Sequence, residues 1–265
     1  MHLIISHLRC VCNAERQFMA KISVRNFISE LDSFFAKEDL QGACRCLLEW
    51  RKRAADCNDK SGELTVLNEM IGFYRQTKEE AEGMAAIKDA FALIDELGIG
   101  NSPSAATIYL NGATTMKSFG KSAEAMEYYN ITLENYSINL DKNDPLVAGL
   151  YNNMALALQD LKKYSEAEEY LLKAIEITEK APKNELETAV SLVNLAHLYY
   201  EIDNEDGRVN SLMEKALDIL ENPDFFGYNK YAFTCRKCAP SFGFFGFFLA
   251  EKYLNERADK IYAGS

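Results

Sequence analysis

Residues Tyr151–Ala174 read YNNMALALQDLKKYSEAEEYLLKA, and this stretch decides the fold. Tyr151, Met154, Ala155 and Leu158 fall three or four apart and make one helical face. Lys162-Lys163 interrupts it, and Tyr164, Ala167, Leu171 and Ala174 make a second face. Small side chains at Ala155, Ala167 and Ala174 allow two helix backbones to approach closely, which predicts an antiparallel helical hairpin. A lone hairpin cannot bury its apolar faces, so its partners must lie elsewhere in the chain.

The hairpin recurs. Tyr109, Ala113, Met116, Gly120, Ala125, Tyr129 and Thr132 stand 42 residues before Tyr151, Ala155, Leu158, Lys162, Ala167, Leu171 and Ala174. Gly83, Ile87 and Ala90 hold the second-helix places one unit earlier. Leu192, Leu195, Ala196 and Tyr199 repeat the first helix with a shift of 41, and Val209, Met213 and Ala216 repeat the second with a shift of 42. Fixed-period self-similarity of a helical hairpin is the mark of a solenoid. Ser102-Pro103 and Asp144-Pro145, also 42 apart, each pair an N-cap residue with Pro at the first helical position. This punctuation supports the register independently of the packing pattern.

The pattern resembles the tetratricopeptide repeat over residues 62–221. Tyr164, Ala167, Leu171 and Ala174 match that family's small–large–small signature. Tyr151 stands where the family usually has Trp, and Ala155 where it has Gly. The spacing near 42 exceeds the usual 34 and is similar to the longer repeats of kinesin light chains and of bacterial peptide-binding regulators. The expected fold is all-α: an α-solenoid, a right-handed superhelix of about six tetratricopeptide-like hairpins. Its expected organisation is a leader over 1–18, an atypical amino-terminal hairpin over 19–61, and four repeats over 62–100, 101–142, 143–182 and 183–221. A Phe-rich capping hairpin follows over 222–265. Within the last part, 225–238 reads as a short helix and Pro240 as a break. The run SFGFFGFFL, Ser241–Leu249, then leads into a second amphipathic helix through Tyr262. Pro182 marks a turn, Asn222-Pro223 a helix start, and Asp203–Gly207 a polar turn.

Composition narrows the function. The formal net charge is −11, which argues against nucleic acid as a partner. Residues 141–222 carry 17 acidic and 8 basic side chains, whereas residues 1–62 carry 8 and 10. The acidic excess reads as a solvated outer face, with a preference for basic or neutral ligands as the alternative. No stretch reaches the ~20 apolar residues that cross a bilayer, and no signal peptide is evident, so a cytoplasmic protein is expected. Seven cysteines, an odd number, fit reduced thiols. Cys235–Cys238 lacks a second ligand pair at zinc spacing and reads as helix packing. The three histidines (His2, His7 and His197) and the scattered carboxylates form no catalytic constellation, and no phosphate-binding Gly-rich loop or nucleophile motif occurs. Neither an enzyme nor a cofactor or metal is expected.

The informative polar residues are asparagines. Asn111, Asn153 and Asn194 hold the same place in three successive first helices, two before Ala113, Ala155 and Ala196. The resemblance implies that first helices line a concave groove and that Asn at this place holds a ligand backbone. A side-chain amide offers both a donor and an acceptor, so it pairs with a peptide unit without reading its sequence. The alternative is that these asparagines bond between neighbouring helices and only stabilise the stack. Asn152 is adjacent, and Asn68 falls at the Asn152-equivalent place. One helical turn further, Thr114, Lys117, Gln159, His197 and Tyr200 join the expected groove. The favoured function is a non-catalytic module binding a protein or extended peptide. The alternatives are an intracellular receptor for a signalling peptide without a DNA-binding domain of its own, and a scaffold that forms a homodimer through the Phe-rich helix.

Overall fold

A computed structural model describes residues 21–181, 183–204, 207–222 and 228–264. Among them it is all-α, with twelve helices. The expected leader, Pro182, Pro223 and part of the Asp203–Gly207 turn lie outside the described residues. The helices divide into two compact units that meet in sequence between Gly120 and Lys121.

The first unit contains α1 (Val24–Phe35), α2 (Leu40–Asp56), α3 (Lys60–Thr77), α4 (Glu80–Leu97) and α5 (Pro103–Ser118). Sequential helices pack as neighbours, and α3 also packs on α5. The start and stop chemistry is repetitive. The Asp39 and Asp59 carboxylates accept from the Gly42 and Gly62 amides at 2.8 and 3.0 Å, and each such cap stabilises its helix by about 1 kcal/mol. Four successive helices stop on a left-handed residue: Glu38, Asn58, Lys78 and Gly98. The amide after each left-handed residue bonds back five residues, as in Asp39 to Phe34 and Asp59 to Ala54, which closes the helix end. The atypical amino-terminal hairpin thus uses the same stops as the repeats. Phe27, Leu31, Ala43, Leu47 and Trp50 are buried between α1 and α2, while Leu48 points to solvent. Trp50 Nε1 donates to Glu30 Oε2 at 2.9 Å.

The second unit contains α6 (Ser122–Asn139), α7 (Pro145–Asp160), α8 (Tyr164–Lys180), α9 (Glu185–Ile202), α10 (Arg208–Glu221), α11 (Tyr228–Phe244) and α12 (Phe248–Ala263). Here α7 pairs with α8, α9 with α10 and α11 with α12, and the first helices α7, α9 and α11 pack in succession. The expected Ser102 and Asp144 caps are present, each with Pro at the first turn. Lys78, Gly120 and Lys162, spaced by 42, are all left-handed, so the turn conformation repeats with the sequence period. Ala155, Ala167 and Ala174 are fully buried, as expected of small residues where backbones approach.

The carboxyl-terminal hairpin differs from expectation. Pro240 lies inside α11, which runs on to Phe244. Pro240 and Arg236, the residue whose carbonyl loses its helical donor, are both exposed, where water can take the donor's place. The break comes at Gly246, with φ of 84°. Its amide bonds to Gly243 O at 3.1 Å, and the Phe247 amide to Phe242 O at 2.8 Å. The Phe242 and Phe247 rings meet at 6.1 Å, the apolar contact that accompanies such a helix stop. Phe242, Leu254 and Ala258 then join the core that includes Leu195, Met213 and Leu220.

Candidate functional site

The expected asparagines divide into two classes. In the first unit Asn111 Nδ2 donates to Asn68 O at 3.0 Å and to Asn68 Oδ1 at 3.1 Å. Arg75 Nη1 donates to Asn111 Oδ1 at 2.9 Å and reaches Thr115 Oγ1 at 3.4 Å. In the second unit Asn194 Nδ2 donates to Asn152 Oδ1 at 2.9 Å. Asn152 Nδ2 donates in turn to Ser191 Oγ at 2.8 Å, and Ser191 Oγ to Glu187 O at 2.9 Å. Both links follow one rule. The repeated Asn of one first helix donates to an Asn one place earlier in the preceding first helix. By the same spacing the acceptor place for Asn153 is residue 110, a leucine without a side-chain acceptor.

Asn153 makes no side-chain hydrogen bond among the described residues. It lines a groove of about 420 Å³ formed by α7, α9 and α11, with Gly149, Asn152, Val190, Phe233 and Lys237 around it. Lys230 and Glu187 lie on the same wall, paired at 2.6 Å. Glu187 Oε2 is buried and has no hydrogen-bond partner. Phe233 is exposed. The groove therefore offers an amide with both valences open beside an exposed aromatic face. These are the groups that hold an extended backbone and one apolar side chain.

The remaining expected residues lie elsewhere. Thr114 and Lys117 are half-buried on α5, where Thr114 Oγ1 donates to Leu110 O at 2.8 Å. Gln159 Nε2 donates to Glu201 Oε2 at 2.6 Å, and Lys162 and Tyr164 also bond to that carboxylate. These hydrogen bonds, that from Lys162 first, hold Glu201 below the usual carboxylate range. His197 Nε2 lies 2.8 Å from Ser241 Oγ, and its ring packs on Phe244 and Phe245 at 5.4 and 4.7 Å. Tyr200 meets the same two phenylalanines edge-on. The groove residues that sequence reasoning missed, Phe233, Lys230 and Lys237, stand on α11. Continuing the repeat step beyond residue 221 would have found them, since Gly149, Val190 and Phe233 follow one another at 41 and 43 residues.

Cys235 and Cys238 are buried free thiols on the packed face of α11. Burial raises both, Cys238 to about 12, so neither is an activated nucleophile near neutral pH. Among the described residues no group of three or more His, Cys, Asp or Glu could hold a metal ion. None of the described helices is long and apolar enough to cross a membrane.

Residues 146–222 match the sequence model of the tetratricopeptide repeat. Over these residues the chain carries tetratricopeptide repeats. The same repeat architecture appears in solved structures of low identity. BtubC (BKLC) from P. vanneervenii is 20% identical, with a TM-score of 0.54 over 90% of this chain and 91% of that one. A putative kinesin light chain with nearly identical repeats from Podosopora anserina is 18% identical, with a TM-score of 0.53 over 76% of this chain and 95% of that one. The apo form of RapI is 14% identical, with a TM-score of 0.61 over 90% of this chain and 97% of that one. At these identities the likeness is one of fold. No curated protein sequence matches the chain.

Proposed function

We propose that the chain is a non-catalytic cytoplasmic binding module that holds an extended protein segment in the groove of α7, α9 and α11. One observation carries this reading. Asn153 faces the groove without an intramolecular hydrogen bond, whereas its counterparts Asn111 and Asn194 donate to asparagines of the preceding repeat. An amide with unused donor and acceptor beside an open channel is suited to a peptide unit, which presents the complementary pair. The exposed Phe233 provides an apolar contact beside it, and the net charge of −11 disfavours nucleic acid. A short signalling peptide is the narrower version of the same reading. It is favoured by the likeness in fold, at a TM-score of 0.55 and 13% identity, to a Rap protein complexed with Competence and Sporulation Factor.

The test is selection of a displayed random dodecapeptide library on the full chain. Fluorescence anisotropy of the selected peptides on wild type and Asn153→Ala then follows. Loss of a backbone pair is expected to weaken binding at least about tenfold with unchanged melting. Peptides that bind both proteins equally would remove the groove from the reading.

A further inference from the structure

The start of α12 is unusual for a surface. Phe248 and Leu249 are 69% and 85% exposed, side by side at the first turn. They border a hollow of about 490 Å³ between α10 and α12, walled by Leu217, Phe247, Ala250 and Tyr253, with Glu221 at its α10 side. Ridge and hollow thus share one face, the arrangement an isologous contact needs, because the ridge of each copy then enters the hollow of the other. The charges agree. Glu251, Glu256 and Asp259 on α12 are matched by Lys252, Arg257 and Lys260, so this helix is neutral in a chain of net −11. Two copies that repel elsewhere meet only the Glu221 carboxylate of each hollow there, a smaller like charge than over the rest of the surface.

We propose that this face is a self-association surface whose occupant is the same face of a second copy of the chain. Two apolar side chains per copy, with their surroundings, make a small contact of the weak class, below about 1,200 Å² in total. The dimer is therefore expected to form in the micromolar range and to be concentration-dependent. Because the contact is apolar and the rest of the surface is acidic, added salt strengthens it by screening the repulsion.

Sedimentation velocity of the full chain, from about 1 to 200 μM at low and high salt, reads the mass directly. Wild type is expected to move from 29.9 kDa towards twice that mass, more readily at high salt. Leu249→Glu and Phe248→Glu are expected to remain monomeric over the range, with unchanged circular dichroism and melting, because neither side chain is part of the core. A wild type that is monomeric throughout overturns the proposal, as does a dimer that both variants retain. A dimer that weakens with salt overturns it as well, since it would mark a charged contact involving the basic α11, with Lys230, Arg236, Lys237 and no acidic residue.

Discussion

Asn111 and Asn153 hold the same place in two first helices, yet they are spent differently. In the first unit Asn111 is bonded to Asn68 and Arg75. In the second unit Asn153 opens onto a groove while the neighbouring Asn152 carries the inter-repeat bond from Asn194. One residue type at one repeat position is thus bonded between helices at Asn111 and Asn194 and without a side-chain bond at Asn153. Asn111 and Asn194 each find an asparagine acceptor, Asn68 and Asn152, on the preceding first helix of their own unit. A repeated polar residue is therefore no single feature: where the preceding first helix of the same unit offers an asparagine, as Asn152 does for Asn194, the amide is used between helices.

The sharpest way to break this comparison is Asn111→Ala. It strips partners from the half-buried Asn68 and from Arg75, and is expected to cost about 2–3 kcal/mol by denaturant melting. The same change at Asn153 should cost under about 0.5 kcal/mol and act on ligand capture instead, by about tenfold. Equal losses of stability would show that both asparagines only stack helices. Next come two glycines of the same first helices. A Cβ on Gly112 would lie 2.6 Å from Phe91 Cζ, whereas one on Gly149 meets nothing within 4 Å. Gly112→Ala should destabilise by about 1–3 kcal/mol. Gly149→Ala should stabilise by roughly 0.5–1 kcal/mol, because alanine restricts the unfolded chain and suits a helix. Thermal melts of the two single variants decide this.

The smallest expected effect is one of pH, with opposite signs in the two units. Burial holds His197 below its ordinary value, near 6.5. The folded second unit thus favours the neutral ring, and the stability this confers is lost as pH falls through 6.5 towards the folded value. Burial raises Glu69 above the ordinary carboxylate value, with Asp32 adding and the Asn68 amide opposing. The folded first unit thus favours the protonated acid, and stability is gained as pH falls through that raised value. Between pH 7 and 4.5, His197→Gln should soften the acid loss, and Glu69→Gln should stabilise more at pH 7 than at pH 4.5. Melts that shift in parallel for all three proteins would remove both assignments.

Much of the architecture was legible because it is local and repeated. Ala155, Ala167, Leu171 and Ala174 declare their faces by spacing, and Ser102-Pro103 and Asp144-Pro145 declare helix starts by capping chemistry. The end of α11 was not legible. Pro240 reads as a break, but on an exposed helix face its missing donor costs little, and Gly246 with its Phe242–Phe247 contact stops the helix instead. Phe233 and Lys237 were missed because α11 keeps the repeat spacing without keeping the repeat's residues.

What the sequence determined by itself is the repeat: its period, its hairpins, and the breaks at Gly120 and Lys162. These follow from backbone preferences and side-chain size within one hairpin, which neighbouring residues settle. What only the tertiary structure decided is the fate of each polar side chain. Whether Asn111 or Asn194 bonds between helices depends on what the preceding first helix presents some forty residues away, and that is a matter of packing between hairpins.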